Sequence, residues 1–98
     1  MNTMYRPTAN ELRVLKALRE LGEGDGRVVG GKIGMGSSIA DYLCRYLTTK
    51  ELVRRTDRRY TLTPTGQRAL EEAFARTLSI LKQKEGEVLE TLAKIRLP

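Results

Sequence analysis

Histidine and tryptophan are absent from this chain of 98 residues, and cysteine and phenylalanine each occur once. With Cys44 alone there is no intrachain disulfide, and without histidine no Cys/His metal set can be assembled. No metal or cofactor is expected. Nor does any pair of carboxylates sit in a recognisable pocket motif, so the chain carries nothing to perform catalysis and is not expected to be an enzyme. No apolar run approaches the ~20 residues of a membrane span. The opening MNTMYRPTAN lacks the apolar core of a signal peptide. A reduced, cytoplasmic setting follows as the expectation. Aromatic residues make up only 5% of the chain, which leaves Leu, Ile, Val and Ala to build the core and suits a mainly helical fold. The length allows one domain with one core.

What is abundant is positive charge, and it is unevenly spread. The net charge is +6. Residues 1–26 carry four basic and four acidic groups, residues 27–60 eight against three, and residues 61–98 six against five. Nearly all the excess therefore lies in the middle third, the pattern of a polyanion-binding surface rather than of a generally solubilising one.

Residues 1–7 are expected to form a loose arm. Thr8-Ala9-Asn10-Glu11 fits a capping box. The helix that follows carries Leu12, Leu15, Leu18 and Leu21 on one stripe, widened by Val14 and Ala17, and should stop at Gly22. Seven of the nine glycines fall in residues 22–36. Arg27-Val28-Val29 has the composition of a short strand. Gly26 to Lys32 fits the spacing G-x-x-x-x-G-K, but Ile33 stands where a phosphate-binding loop needs a hydroxyl for magnesium, and no buried strand precedes it. Nucleotide binding is set aside.

From Ser37 to Thr49, Ile39, Leu43, Tyr46 and Leu47 share one face, and Ser37, Ser38, Asp41, Arg45 and Thr48 the other. Ser37 or Ser38 is the expected N-cap, and Ser38-Ile39-Ala40-Asp41 again satisfies the capping-box pattern. From Leu52 the period changes. Thr56-Asp57-Arg58 is the turn of a hairpin, with Leu52, Tyr60 and Leu62 on its apolar side. Arg54, Arg55, Arg58 and Arg59 surround that turn, and strand alternation puts Arg54 and Arg55 on opposite faces.

A helix with a polar outer face, followed at once by an arginine-tipped hairpin, resembles the recognition helix and wing of a winged helix-turn-helix domain. Tyr60-Thr61-Leu62-Thr63-Pro64-Thr65-Gly66 is similar to the Y-x-L-T-x-x-G stretch that closes the wing in MarR-like and PadR-like transcriptional regulators. Lys50-Glu51-Leu52-Val53 resembles the K-G-L-V end of many such recognition helices, with Glu51 in place of glycine. The resemblance covers about two-thirds of the chain. It implies a second helix over Val28–Gly34, short or late-starting because Gly30 and Gly31 each cost about 1 kcal/mol relative to Ala. It also implies a sequence-specific regulator of double-stranded DNA, with the recognition helix in the major groove and the wing on backbone or minor groove.

On that reading the DNA-binding candidates are Ser37, Ser38, Asp41, Tyr42, Arg45, Arg54, Arg55, Arg58 and Arg59. Arg45 is the best placed to read a guanine edge, and Asp41 either caps its helix or accepts from a cytosine amino group. Tyr42 borders the outer face, where it touches a phosphate or a thymine methyl, or packs at the rim of the core. Arg58 is the candidate for a narrow minor groove. Cys44 is either a redox-sensing thiol or, as is ordinary, an inert and partly buried one. The alternative function is a winged-helix protein–protein adaptor without sequence-specific DNA binding, against which the basic hairpin argues.

Thr63-Pro64 starts a last helix that stays helical in pattern to Ile95. Phe74, Leu78, Leu81, Val88, Leu92 and Ile95 follow a 4-3-4-3 spacing, with Glu85 in the one missing slot. Such a stripe suits pairing with an identical helix as a coiled coil. The expected fold is thus mainly α with a small β-hairpin: a winged helix-turn-helix over residues 8–66 and a C-terminal dimerisation helix over 67–96. The homodimer interface falls on Leu78, Leu81, Val88, Leu92 and Ile95. A break at Gly86 would instead fold residues 87–96 back over 74–81 and leave a monomer. The sequence names no small-molecule effector.

Overall fold

The computed structural model describes residues 5–96. The order is α1 (Ala9–Leu21), α2 (Gly26–Ile33), α3 (Ser37–Thr49), β1 (Val53–Thr56), β2 (Arg59–Leu62) and α4 (Pro64–Arg96). This is the expected architecture, three helices and an antiparallel hairpin followed by one long helix.

The first helix begins as its sequence dictates. The Glu11 amide donates to Thr8 Oγ1 at 3.2 Å, and the Thr8 amide donates to Glu11 Oε1 at 2.9 Å. Glu11 is only 4% exposed, and the Tyr5 hydroxyl donates to the same carboxylate oxygen at 2.7 Å. Tyr5 also packs edge-on against Tyr46, and Lys50 lies over both rings. The arm expected over residues 1–7 is therefore tied down at Tyr5; residues 1–4 lie outside the described residues. Gly22 ends α1 at φ +83°.

The glycine-rich segment departs most from expectation. Arg27-Val28-Val29 is not a strand. Asp25 caps α2 by accepting from the Val28 amide at 2.9 Å, and the helix starts at Gly26, earlier than the resemblance implied. The strand-like contact lies one step before it, where Gly24 and Tyr60 exchange both backbone hydrogen bonds (3.1 and 2.8 Å) at the edge of the hairpin. Two glycines explain how a helix forms despite its composition. A Cβ on Gly26 would stand 2.5 Å from Asp41 Cβ, and one on Gly30 would stand 2.5 Å from the Met35 carbonyl oxygen. These are the points where α2 comes backbone to backbone with α3 and its leading turn. Tertiary packing that only glycine permits outweighs the helix propensity lost there.

Within α3 the buried face is Ala40, Cys44 and Leu47, each 0% exposed, while Ile39 is 58% exposed. The sequence-based phase, with Ile39 inward, is thus rotated. Small side chains face the core because α2 lies so close, and the bulkier isoleucine is turned out. Neither serine caps α3: Gly36 is the N-cap, with no side-chain hydrogen bond, and Asp41 is engaged elsewhere.

The hairpin pairs Val53 with Leu62 and Thr56 with Arg59, so Asp57-Arg58 forms a two-residue turn, with Asp57 at φ +58°. Leu52, Val53 and Tyr60 are buried beneath it. They join Val14, Leu15, Leu18, Val29, Ala69 and Leu70 in one core. Thr63 Oγ1 accepts from the Gly66 amide at 3.0 Å and donates to the Glu51 carbonyl at 2.7 Å, which locks the start of α4 to the end of α3. The helix then runs unbroken through Gly86, which removes the folded-back arrangement. Its side chains are buried only as far as Ala73; Phe74 to Ile95 are all exposed. Among the described residues, no helix is long and apolar enough to cross a membrane.

The end of α3 generates a stability prediction. The Leu52 amide donates to the Leu47 carbonyl and the Glu51 amide to the Thr48 carbonyl, both at 3.1 Å, the pair of bonds of a Schellman cap. Glu51 occupies its left-handed position at φ +62°, where a Cβ is penalised. Glu51→Gly should therefore stabilise the chain by about 1 kcal/mol, read as a higher urea midpoint at unchanged slope. A lower midpoint would contradict the assigned strain.

Candidate nucleic-acid interface

The surface begins with the N-terminal turn of α3. Ser37 and Ser38 are exposed at its start, and beside them the first turn of α2 presents Arg27. The hairpin leans over this corner and brings Arg55 and Arg58. Asp25, Gly26, Arg27, Ser37, Ser38, Asp41, Arg55 and Arg58 line one open groove. Five of the nine residues expected from sequence thus converge. Arg27 was missed because its segment was read as a strand. Asp25, an N-cap residue type just ahead of the segment, was the signal for a capped helix start.

Asp41 is the hinge of the geometry. Its Oδ1 accepts from the Tyr60 hydroxyl at 2.9 Å, and its Oδ2 pairs with the Arg45 guanidinium at 2.7 Å. Tyr60 itself is fully buried. Burial and then the Asp41 hydrogen bond hold its phenol above the ordinary value, so it remains a donor. The carboxylate therefore fastens α3 to β2 and at the same time orients Arg45, one turn on. That occupation replaces the helix-capping role, and it leaves Asp41 as a positioning group more than a free acceptor. Arg45 remains largely exposed, its side chain 64% accessible.

The other arginines divide as strand alternation requires. Arg55 lies over the Tyr60 ring at 5.8 Å and donates from Nε to the Asp57 carbonyl at 3.2 Å. Arg54, its neighbour, is exposed on the other face of the hairpin. Arg59 pairs with Glu23 in the loop before α2. Of the four, Arg58 at the turn and Arg55 reach the groove. Tyr42 is 66% exposed on the outer face of α3, not packed at the rim of the core. Among the described residues there is no cluster of His, Cys, Asp and Glu fit to hold a metal ion.

No protein-family model matches the sequence, and no curated protein matches it. Solved structures do match. The chain superposes on the YusO protein from Bacillus subtilis with a TM-score of 0.74 at 24% identity, over 90% of this chain and 71% of that one. A MarR family protein from Bacillus stearothermophilus gives 0.72 at 22% identity, covering 92% and 72%. The Bordetella bronchiseptica protein BpsR, whose DNA binding is regulated by 6-hydroxynicotinic acid, gives 0.66 at 24% identity, covering 92% and 76%. These likenesses establish the fold: the chain is a winged helix-turn-helix domain of MarR-like architecture. In its terms α3 is the recognition helix and β1–β2 the wing.

Cys44 lies on the inner side of α3 and is fully buried. Burial first, and the Asp41 carboxylate second, push its thiol up to about 12. That is the inert alternative, not the redox-sensing one. Because the folded thiol binds its proton more tightly than the unfolded one, its contribution to stability is complete below about 9 and is lost as the pH climbs towards 12. At pH 8 the folded chain should be alkylated at least a hundredfold more slowly than the urea-unfolded chain, given about a thousandfold less thiolate. Comparable rates in the two states, followed by mass spectrometry, would contradict this burial.

Proposed function

We propose that this chain is a sequence-specific, double-stranded-DNA-binding transcriptional regulator that acts as a homodimer. The observation that carries the reading is the convergence of Ser37, Ser38, Arg55 and Arg58 on one groove beside the outward Arg45, in the only third of the chain with a large basic excess. The outer face of α3 enters the major groove and reads base edges, with Arg45 on a guanine. Ser37, Ser38 and Tyr42 border it. Arg55 and Arg58 meet the backbone or an adjacent minor groove. Arg54 and Arg59 add to the field more than to contacts, since Arg59 is already engaged by Glu23. BpsR, a similar fold, supports DNA as the partner by analogy.

Three variants test this directly. Arg58→Ala should weaken binding to every duplex and reduce the salt slope by about one, whereas Arg59→Ala should change it less. Arg45→Ala should lose about tenfold or more on the preferred site and relax the choice at one base pair. If all three variants bind as the parent does, the adaptor reading takes its place.

The dimer rests on α4. Its 33 residues span about 50 Å at 1.5 Å each. Leu78, Leu81, Val88, Leu92 and Ile95 are 45–73% exposed, and Ile80 and Leu89 widen the apolar surface. A contiguous stripe of this kind marks an interface, and residues 67–96 are its proposed dimerisation segment. Two-fold pairing sets two recognition helices on a palindromic site. In sedimentation at tens of micromolar the intact chain should be a dimer, and a chain ending at Ala75 a monomer. A monomeric intact chain, or a dimeric truncated one, removes the model.

A further inference from the structure

Folding leaves one aliphatic side chain of α3 outside. Ile39 stands in the first turn, 58% exposed, and Tyr42 beside it is 66% exposed. The core of α3 is complete without them, built from Ala40, Cys44 and Leu47. At about 100° per residue, Ile39 lies roughly 60° to one side of Tyr42 and Arg45 roughly 60° to the other. The Arg45 side is the hairpin side, because Asp41 is bonded to Tyr60 of β2. The outer face of α3 is thus split lengthwise into a polar edge beside the wing and an apolar edge away from it.

A single exposed hydrophobe is unremarkable on most surfaces. This one belongs to the turn that opens the recognition helix, whose N-terminal residues reach base edges. It opens the same helix that carries Arg45, in the stretch of the chain that holds nearly all the basic excess, a charge pattern complementary to phosphates and unsuited to an apolar protein partner. In a major groove the apolar group on the base edges is the C5 methyl of thymine. An aliphatic side chain has no donor or acceptor, so that methyl is what it can discriminate.

We infer that Ile39, backed by the Tyr42 ring, reads thymine: it packs on a thymine C5 methyl in the major groove, and each half-site carries thymine opposite the first turn of α3. The inference rests on the proposed duplex-binding reading and adds the base that this turn selects. Arg45 and Ile39 then divide the work, one edge of the helix reading by hydrogen bonds and the other by methyl contact.

The test uses the full chain and a duplex site selected by it from random sequence. Each thymine is replaced in turn by deoxyuridine, which removes the methyl alone. One or two positions per half-site should lose about three- to fivefold in affinity. Ile39→Ala should lose a similar factor on the thymine site and nothing further on the deoxyuridine site, so that the two changes do not add. The inference is overturned if deoxyuridine is tolerated at every position, or if the two losses multiply. Because the deoxyuridine series needs no variant, a poorly folded Ile39→Ala would not blunt it. A chain that binds no duplex even at low salt would overturn the DNA-binding reading and this inference together; one that selects a site without methyl dependence overturns this inference alone.

Discussion

The contact on which this structure depends is the close approach of α2 to α3 at Gly26 and Gly30. With Asp41 Cβ only 2.5 Å from where a Gly26 side chain would begin, the two backbones touch. This approach selects Ala40, Cys44 and Leu47 as the inner face of α3 and turns Ile39 outward. It also fixes Asp41 where one carboxylate oxygen meets Tyr60 and the other Arg45. The wing, the recognition helix and the outward arginine are thereby held in one arrangement by a single buried-to-exposed chain of polar contacts. Hydrogen bonds of this kind are individually modest in net energy. Their consequence is orientation: under the proposed function, Arg45 is presented at the defined angle that reading a base edge requires.

The long helix follows a different logic. Its first turns complete the winged core through Ala69, Leu70 and Ala73, and Thr63 welds its start to the Glu51 carbonyl. Beyond Phe74 its side chains are exposed as far as Ile95. Helix continuity through Gly86 then carries an apolar stripe away from the core, so the same element that closes the fold also creates its unsatisfied surface. In the proposed dimer, a second copy covers that surface and the spacing between recognition helices follows from α4.

Local signals made much of this legible. The Thr8–Glu11 box, Gly22 and Thr63-Pro64 each act within a few residues and appear in the structure where the sequence implies them, and the hairpin turns at Asp57-Arg58, inside the expected Thr56-Asp57-Arg58 with Thr56 drawn into β1. What escaped depended on contacts distant in the chain. Glycines at 26 and 30 argue against a helix until their neighbours at Asp41 and Met35 are known. The phase of α3 was misjudged because isoleucine outweighs alanine and cysteine in any hydrophobic pattern, although a close helix partner admits only the smaller pair. Asp41 resembles a cap in sequence because its true partner, Tyr60, is nineteen residues away. For the candidate surface, residue types and the charge excess were readable, but the removal of Arg59 to Glu23 and the arrival of Arg27 were matters of tertiary placement.

We propose that two copies of this winged surface, fixed in relation by α4, read duplex DNA together. Selection of bound duplexes from a random pool by the intact chain addresses it most directly. The proposed dimer should yield an enriched site with two-fold symmetry, its half-sites centred about one helical turn, or a multiple of it, apart. A pool that emerges unenriched, or a single asymmetric half-site of full affinity, would contradict it.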